Sequence, residues 1–167
     1  PTDGAVRTNL TITESDGTTT KINEPGDVIS AVALEALTEA ILDRAATASW
    51  VVLSGSLPPG MPDTWYADMV AALQPFACKV AVDTSDAPLT ALADAFGVAA
   101  PDLIKPNAEE LAWLAGVTAE SLEDALAQGD PAPVVAAAQR LIDRGARTVL
   151  ATLGAAGAIL VNDTGSW

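Results

Sequence analysis

Short apolar runs rich in β-branched residues recur along this chain, each separated from the next by a segment with helical spacing. That alternation leaves few folds open. WVVLSG at 50–55, KVAVDTS at 79–85 and DLIKPN at 102–107 read as strands, the first two of the kind buried on both sides, and TVLATLG with AAGAILVN at 148–162 reads as two more. Between them the period changes. Ile29, Ala33, Ala36, Leu37, Ala40 and Ile41 share one face of a helix over roughly 28–46, and Pro62 opens a second over 63–73. Further helices are predicted over 87–96, through AEELAWL, and over 120–127 and 134–144, with Gly145 ending the last as its C′ residue. Apolar strands alternating with helices predict an α/β domain, a mainly parallel sheet covered by helices.

The opening of the chain has period two instead. In residues 5–24, Val6, Leu10 and Ile12 fall on one face of VRTNLTIT, and Arg7, Asn9, Thr11 and Thr13 on the other. Asp16-Gly17 is a strong turn signal, TTTKINE returns as a second strand, and EPG at 24–26 breaks the run. Residues 1–26 therefore read as a small β flap or lid, and 27–167 as the α/β core.

Composition narrows the function. Eight Lys and Arg stand against 22 Asp and Glu, a formal charge of −14. A surface that acidic repels nucleic acid and anionic membranes, so neither is expected as a partner. An anionic ligand must be drawn by local cations or backbone N–H groups against the global field. Histidine is absent, which removes Ser-His-Asp and Cys-His mechanisms and most catalytic zinc sites. The one cysteine, Cys78, permits no internal disulfide and suits a reducing cytoplasm. No apolar run approaches the ~18 residues of a membrane span, and PTDGAVRT has no signal-peptide character.

Ligands of α/β sheets collect where strands end, and four stretches lie at such ends. In KPNAEE, Asn107 and Glu110 fit a capping box, each side chain satisfying the other's backbone N–H. The same i, i+3 geometry lets the pair order a hydrated Mg²⁺, with Lys105 offering a cation to a phosphate. Both readings stand on these residues alone. TLGAAG is a hairpin turn or a nucleotide loop, in which Gly154 and Gly157 admit close backbone approach and Thr152 adds a hydroxyl. It is neither a Walker A loop nor a dinucleotide fingerprint, since no Lys-Ser/Thr and no helix follow it. GSLPPG has Walker-like glycine spacing but Met61 and Pro62 where Lys and Ser/Thr belong, so it reads as a tight turn into a helix. Asp83 ends its strand and either accepts backbone bonds or touches a ligand. Arg7 and Asn9 face solvent, or face a sugar phosphate if the flap closes over one.

Taken in series, VRTNLTI, INEPG, LSGSLPPG, VDTS, KPNAEEL and TLGAAGAI resemble the ribokinase-like (PfkB) carbohydrate kinase family, most of all its 1-phosphofructokinases. The resemblance implies a three-layer α/β/α core with a mainly parallel sheet and a small β lid hairpin. It also implies transfer of the ATP γ-phosphate, with Mg²⁺, to a sugar phosphate: fructose 1-phosphate first, with tagatose 6-phosphate or fructose 6-phosphate as alternatives. By similarity, Arg7 and Asn9 would hold the acceptor sugar phosphate, Gly55 and Ser56 would line the sugar side, and Asp83 is taken with them. Lys105, Asn107, Thr152, Gly154 and Gly157 would meet the nucleotide, and Asn107 with Glu110 would order Mg²⁺ through water. A cytoplasmic location and a homodimeric parent are compatible with this. Two family elements have no counterpart here: a Gly-rich sugar-binding stretch ahead of Pro1, and the G-A-G-D element with its proton-accepting Asp, expected after TLGAAG. The chain is accordingly expected to be an incomplete core, a fragment inactive by itself. A non-catalytic α/β nucleotide-binding module is the alternative of another class.

Overall fold

The computed structural model describes residues 7–167; Ala5 and Val6, the predicted opening of the hairpin, lie outside the described residues. Strands β1 (Asn9–Thr13) and β2 (Thr19–Asn23) pair antiparallel as a two-stranded sheet of their own. The register sets Leu10 opposite Ile22 and Ile12 opposite Thr20, as the alternation requires. At the turn, Asp16 Oδ1 accepts from the Thr18 N–H at 2.9 Å, and backbone hydrogen bonding to Thr18 lowers the Asp16 pKa.

The core follows in order: α1 (Ala31–Ala45), β3 (Trp50–Ser54), α2 (Trp65–Leu73), β4 (Lys79–Asp83), α3 (Asp86–Asp94), β5 (Leu103–Ile104), α4 (Ala108–Ala115), α5 (Ala119–Ala127), α6 (Ala132–Asp143), β6 (Thr148–Thr152), β7 (Ala158–Asn162) and β8 (Gly165–Ser166). Strands β3 to β6 are parallel neighbours in chain order; β7 and β8 extend the sheet antiparallel. One transverse row runs through Leu53, Val82, Ile104, Val149 and Val161, and all five side chains are buried. Stepping through parallel strands in one direction by right-handed crossovers lays the intervening helices over one face, here the face of that row. Met69, Leu92, Leu111 and Leu141 close the core from the helix side. Each such burial contributes about 1.5–3 kcal/mol.

Cap chemistry sets the helix ends. Ser30 Oγ accepts from the Ala33 N–H, and Thr118 Oγ1 from the Ser121 N–H. Arg140 Nη1 donates to the Ala115 carbonyl at 2.6 Å and Arg144 Nη1 to the Leu114 carbonyl at 3.2 Å, so α6 caps the end of α4 while packing against it. Helix α2 starts at Trp65 rather than 63, because Pro62 and Asp63 belong to the preceding turn.

One expectation is corrected. Strands β3 and β4 are buried on one face only: on the other, Trp50 is 47 % and Val52 66 % exposed, Lys79 is exposed, and Ala81 and Asp83 are half-buried. Strand β3 borders the described sheet, and a continuous apolar run looks the same whether or not its second face is covered. Lys79, the register partner of Trp50, lies over the indole at 5.4 Å. Strand β8 was not foreseen; Asn162 Oδ1 accepts from the Thr164 N–H and turns the chain back onto β7. Among the described residues no helix is long and apolar enough to cross a membrane.

Candidate functional site

The four parallel strands end side by side, and each stretch singled out from the sequence leaves one of those ends. GSLPPG follows β3, Asp83 closes β4, Lys105 follows β5 and TLGAAG leaves β6.

A cleft of about 510 Å³ lies between the flap and the ends of β3 and β4, lined by Arg7, Glu24, Ser56, Asp63 and Asp86 among others. Arg7 donates through Nε to Asn9 Oδ1 at 3.0 Å and through Nη1 to Ser56 Oγ at 2.7 Å. The second bond ties flap to core across 49 positions of sequence. Glu24 Oε2 accepts from the Thr8 N–H at 3.0 Å and holds the flap's base beside Arg7. Behind Ser56, the Gly55 carbonyl accepts from Tyr66 Oη at 2.8 Å and from Thr84 Oγ1 at 3.0 Å, while the Gly55 N–H donates to the Asp83 carbonyl at 2.9 Å. Burial raises the Tyr66 pKa, and the charge of Asp83 adds to the rise against the opposing hydrogen bond with Thr84. The phenol stays neutral and keeps donating.

Between this cleft and the next, Lys105 Nζ pairs with Asp83 Oδ1 at 3.1 Å. Both side chains are 38 % exposed, so the pair contributes no more than about 1 kcal/mol, and a ligand phosphate can take Lys105 from it.

The second cleft, of about 710 Å³, is lined by Asn107, Glu109, Glu123, Thr152, Gly154 and Gly157 with two alanines. Two loops distant in sequence meet there. The Thr152 N–H donates to the Pro106 carbonyl at 2.9 Å, and Asn107 pairs with Thr152 in a parallel bridge beyond the strands proper. Gly154 (φ +55) opens a short 3₁₀ turn and Gly157 (φ +104) follows it, and nothing lies within 4 Å of where a Cβ would stand on either. The loop's surface is open to close approach. The Asn107–Glu110 capping box forms in both directions at 2.9 Å, so the capping reading is correct as far as it goes. It engages Glu110 Oε2 and leaves that carboxylate its other oxygen.

The structure thus brings Arg7 and Ser56 together, and Asn107, Thr152, Gly154 and Gly157 together, with Asp83 and Lys105 paired between them. Asn9 acts on the first cleft through Arg7, and Gly55 anchors its wall from behind. Glu110 stands one helical turn from Asn107, outside the lining of either cleft. Asp86 and Glu123 are lining residues that sequence reasoning missed. The signal for Asp86 is an acidic residue directly after DTS at a strand end; Glu123, in ESLEDALA, has none.

The family of pfkB carbohydrate kinases matches residues 1–167. The chain is 38 % identical over 160 residues to a 1-phosphofructokinase of Xanthomonas campestris pv. campestris, covering 95 % of this chain and 47 % of that protein. It superposes with a TM-score of 0.75 and 29 % identity on phosphofructokinase-2 of Escherichia coli, solved with fructose-6-phosphate, covering 95 % of this chain and 49 % of that one. A ribokinase of Arabidopsis thaliana, solved with ribose and ATP, gives a TM-score of 0.60 at 20 % identity, a likeness of fold alone, over 97 % of this chain and 47 % of that one. The chain spans about half the length of the curated relatives it matches. Its fold belongs to the expected ribokinase-like three-layer α/β class, of which the described residues supply a mostly parallel mixed sheet and six helices.

Proposed function

We propose a function from one premise: the chain belongs to the pfkB family of carbohydrate kinases. The full-length protein containing these residues transfers the γ-phosphate of ATP to fructose 1-phosphate, giving fructose 1,6-bisphosphate. Supporting this choice of sugar are the flap residues Arg7 and Asn9 and the 38 % identity to a 1-phosphofructokinase. Fructose 6-phosphate is the second reading, favoured by the likeness to phosphofructokinase-2 solved with that sugar. Residues 1–26 act as the lid and 27–167 as part of the nucleotide- and sugar-binding core.

In this reading Arg7 binds the acceptor's phosphate, while Ser56 and Asn9 fix the guanidinium and Gly55 and Asp83 shape the sugar wall. The Gly154–Gly157 loop, Thr152 and Asn107 receive the nucleotide, and Lys105 moves from Asp83 to its phosphates. Asn107 and Glu110 offer oxygen donors suited to Mg²⁺, which would screen the charge of the phosphates being rearranged. Among the described residues no group of three or more His, Cys, Asp or Glu stands together to cage a metal ion. No G-A-G-D element occurs in the 167 residues, so the proton-accepting Asp is assigned outside them.

The observation that carries this reading is the Thr152–Pro106 bond at 2.9 Å, which joins the two loops proposed for the nucleotide at one cleft. The test is sugar-dependent ATP turnover by the full-length protein with fructose 1-phosphate, fructose 6-phosphate and tagatose 6-phosphate. No turnover with any of them defeats the proposal. A sharper test separates the two roles of Glu110. Glu110→Gln keeps the capping box, since Gln also accepts at N3, so melting is expected to move by less than ~2 °C. The Mg²⁺ concentration for half-maximal velocity is expected to rise about tenfold. An unchanged Mg²⁺ requirement would return Glu110 to a purely structural role.

A further inference from the structure

The cleft that holds Arg7 has a second charged wall. Asp86, the first residue of α3, lines it beside Ser85 and is exposed. It is the one non-glycine with positive φ among the described residues, at +56°. That conformation is unfavourable for any residue with a Cβ, and Asn and Asp tolerate it best. Starting a helix does not require it. At α1, α4 and α5 the cap residue is extended and its side chain accepts from a first-turn N–H. At α3, Ser85 makes no such bond; its hydroxyl donates to Asp86 Oδ2 at 2.7 Å. A carboxylate near a helix N-terminus is favoured by the dipole, but a right-handed Asp with a capping serine behind it would have that benefit too. Here the helix start gives up a cap and accepts strain, and the result is a carboxylate held at the wall of a cleft. Strain kept at such a place points to function.

We propose that Asp86 is a specificity-determining residue of this cleft, its carboxylate accepting hydrogen bonds from neutral hydroxyls of a phosphorylated sugar whose phosphate lies at the Arg7 end. The proposal rests on the reading of this cleft as the sugar-phosphate site. Charge sets the direction: Asp86 repels a phosphate and Arg7 attracts it, so the ligand lies one way round. The hydroxyl of Ser85 fixes one carboxylate oxygen, and no other hydrogen bond to Asp86 side-chain oxygens forms among the described residues. A sugar hydroxyl is the neutral donor that fits the remaining acceptor.

The test is calorimetric titration of the full-length protein with fructose 1-phosphate or fructose 6-phosphate, whichever the wild type binds, and with a non-hydrolysable ATP analogue. Asp86→Gly suits the left-handed backbone, so thermal stability is expected to hold or rise. Sugar-phosphate affinity is expected to fall roughly 10- to 100-fold, with ATP-analogue affinity unchanged. Asp86→Asn keeps an acceptor without the charge and is expected to lose less. An analogue lacking the hydroxyl that Asp86 reads (the 3-deoxy or the 4-deoxy sugar phosphate) is expected to bind the wild type about as weakly as the intact sugar binds Asp86→Gly, and to lose little more on the variant. Full affinity in Asp86→Gly, or losses that simply add, overturns the proposal. Arg7→Ala separates the two levels. If it also binds the sugar phosphate normally, the cleft reading has failed; if it binds weakly while Asp86→Gly binds normally, only the role of Asp86 has failed.

Discussion

Gly145→Ala is expected to lower the melting temperature of the full-length protein by roughly 5 °C, the largest stability effect we expect from adding a single methyl group to this chain. Gly145 follows α6 as the C′ residue of a Schellman motif. Its N–H donates to the Ile142 carbonyl at 2.8 Å, and the next N–H, of Ala146, donates to the Leu141 carbonyl at 3.1 Å. The motif requires positive φ, here +121°, well beyond the usual left-handed well. A Cβ added there would stand 2.5 Å from the Phe96 carbonyl oxygen and 2.9 Å from its carbon. The obstacle is backbone at the end of α3, next to a phenylalanine that is itself buried, so no side chain can swing aside. Left-handed strain and overpacking together cost about 2–5 kcal/mol, offset by at most about 1 kcal/mol from the stiffer unfolded chain. Set against a typical 5–15 kcal/mol of total stability, that is a large fraction. Gly129→Ala is the control. Gly129 also has positive φ, +78°, but nothing lies within 4 Å of its added Cβ, so only strain is incurred and a shift of about 1 °C is expected. Thermal unfolding followed by circular dichroism measures both. Equal shifts would mean that the Phe96 contact contributes nothing.

Gly145 was readable as a helix terminator, because Gly just past a periodic run is a local signal. Its collision with Phe96 was not, since that contact is made only when α3 and α6 are brought together. The same division runs through the whole molecule. The hairpin was legible because period-two alternation and Asp16-Gly17 are both local, and they fix the register of Leu10 with Ile22 without help from the core. The Asn107–Glu110 box was legible for the same reason. The open face of Val52 was not, because a run such as WVVLS records apolarity and says nothing of what covers it. Nor was the joining of Thr152 to Pro106, which depends on β5 and β6 being neighbours in the sheet. The family resemblance gives Asp83 to the sugar and Lys105 to the nucleotide. Adjacency of β4 and β5 makes them partners, a relation that appears only once strand order is known. Strain at Asp86 lies furthest from sequence, since a φ angle has no letter of its own.

Arg7→Ala is expected to weaken sugar-phosphate binding by about 100-fold while leaving ATP-analogue affinity unchanged. Arg7 is the one cation among the described residues lining its cleft, where Glu24, Asp63 and Asp86 also stand. On a chain of formal charge −14, a dianionic ligand entering there meets no second cationic side chain among the described lining residues. The guanidinium is also held in place before any ligand arrives: two of its five N–H donors are engaged, by Asn9 at 3.0 Å and Ser56 at 2.7 Å, and three remain for a phosphate. Pre-orientation lowers the entropy lost on binding, so the side chain contributes more than its charge alone. Because the cleft is open and Arg7 exposed, rising salt is expected to narrow the gap between wild type and variant. Arg7→Lys is expected to recover only a small part of the loss, since an ammonium supplies the charge without the planar fork that Asn9 and Ser56 fix. Titration of the full-length protein at low and moderate ionic strength measures all of this. Wild-type affinity in Arg7→Ala would mean that the flap carries no part of the sugar-phosphate site, and full recovery in Arg7→Lys would mean that charge alone accounts for what Arg7 does there.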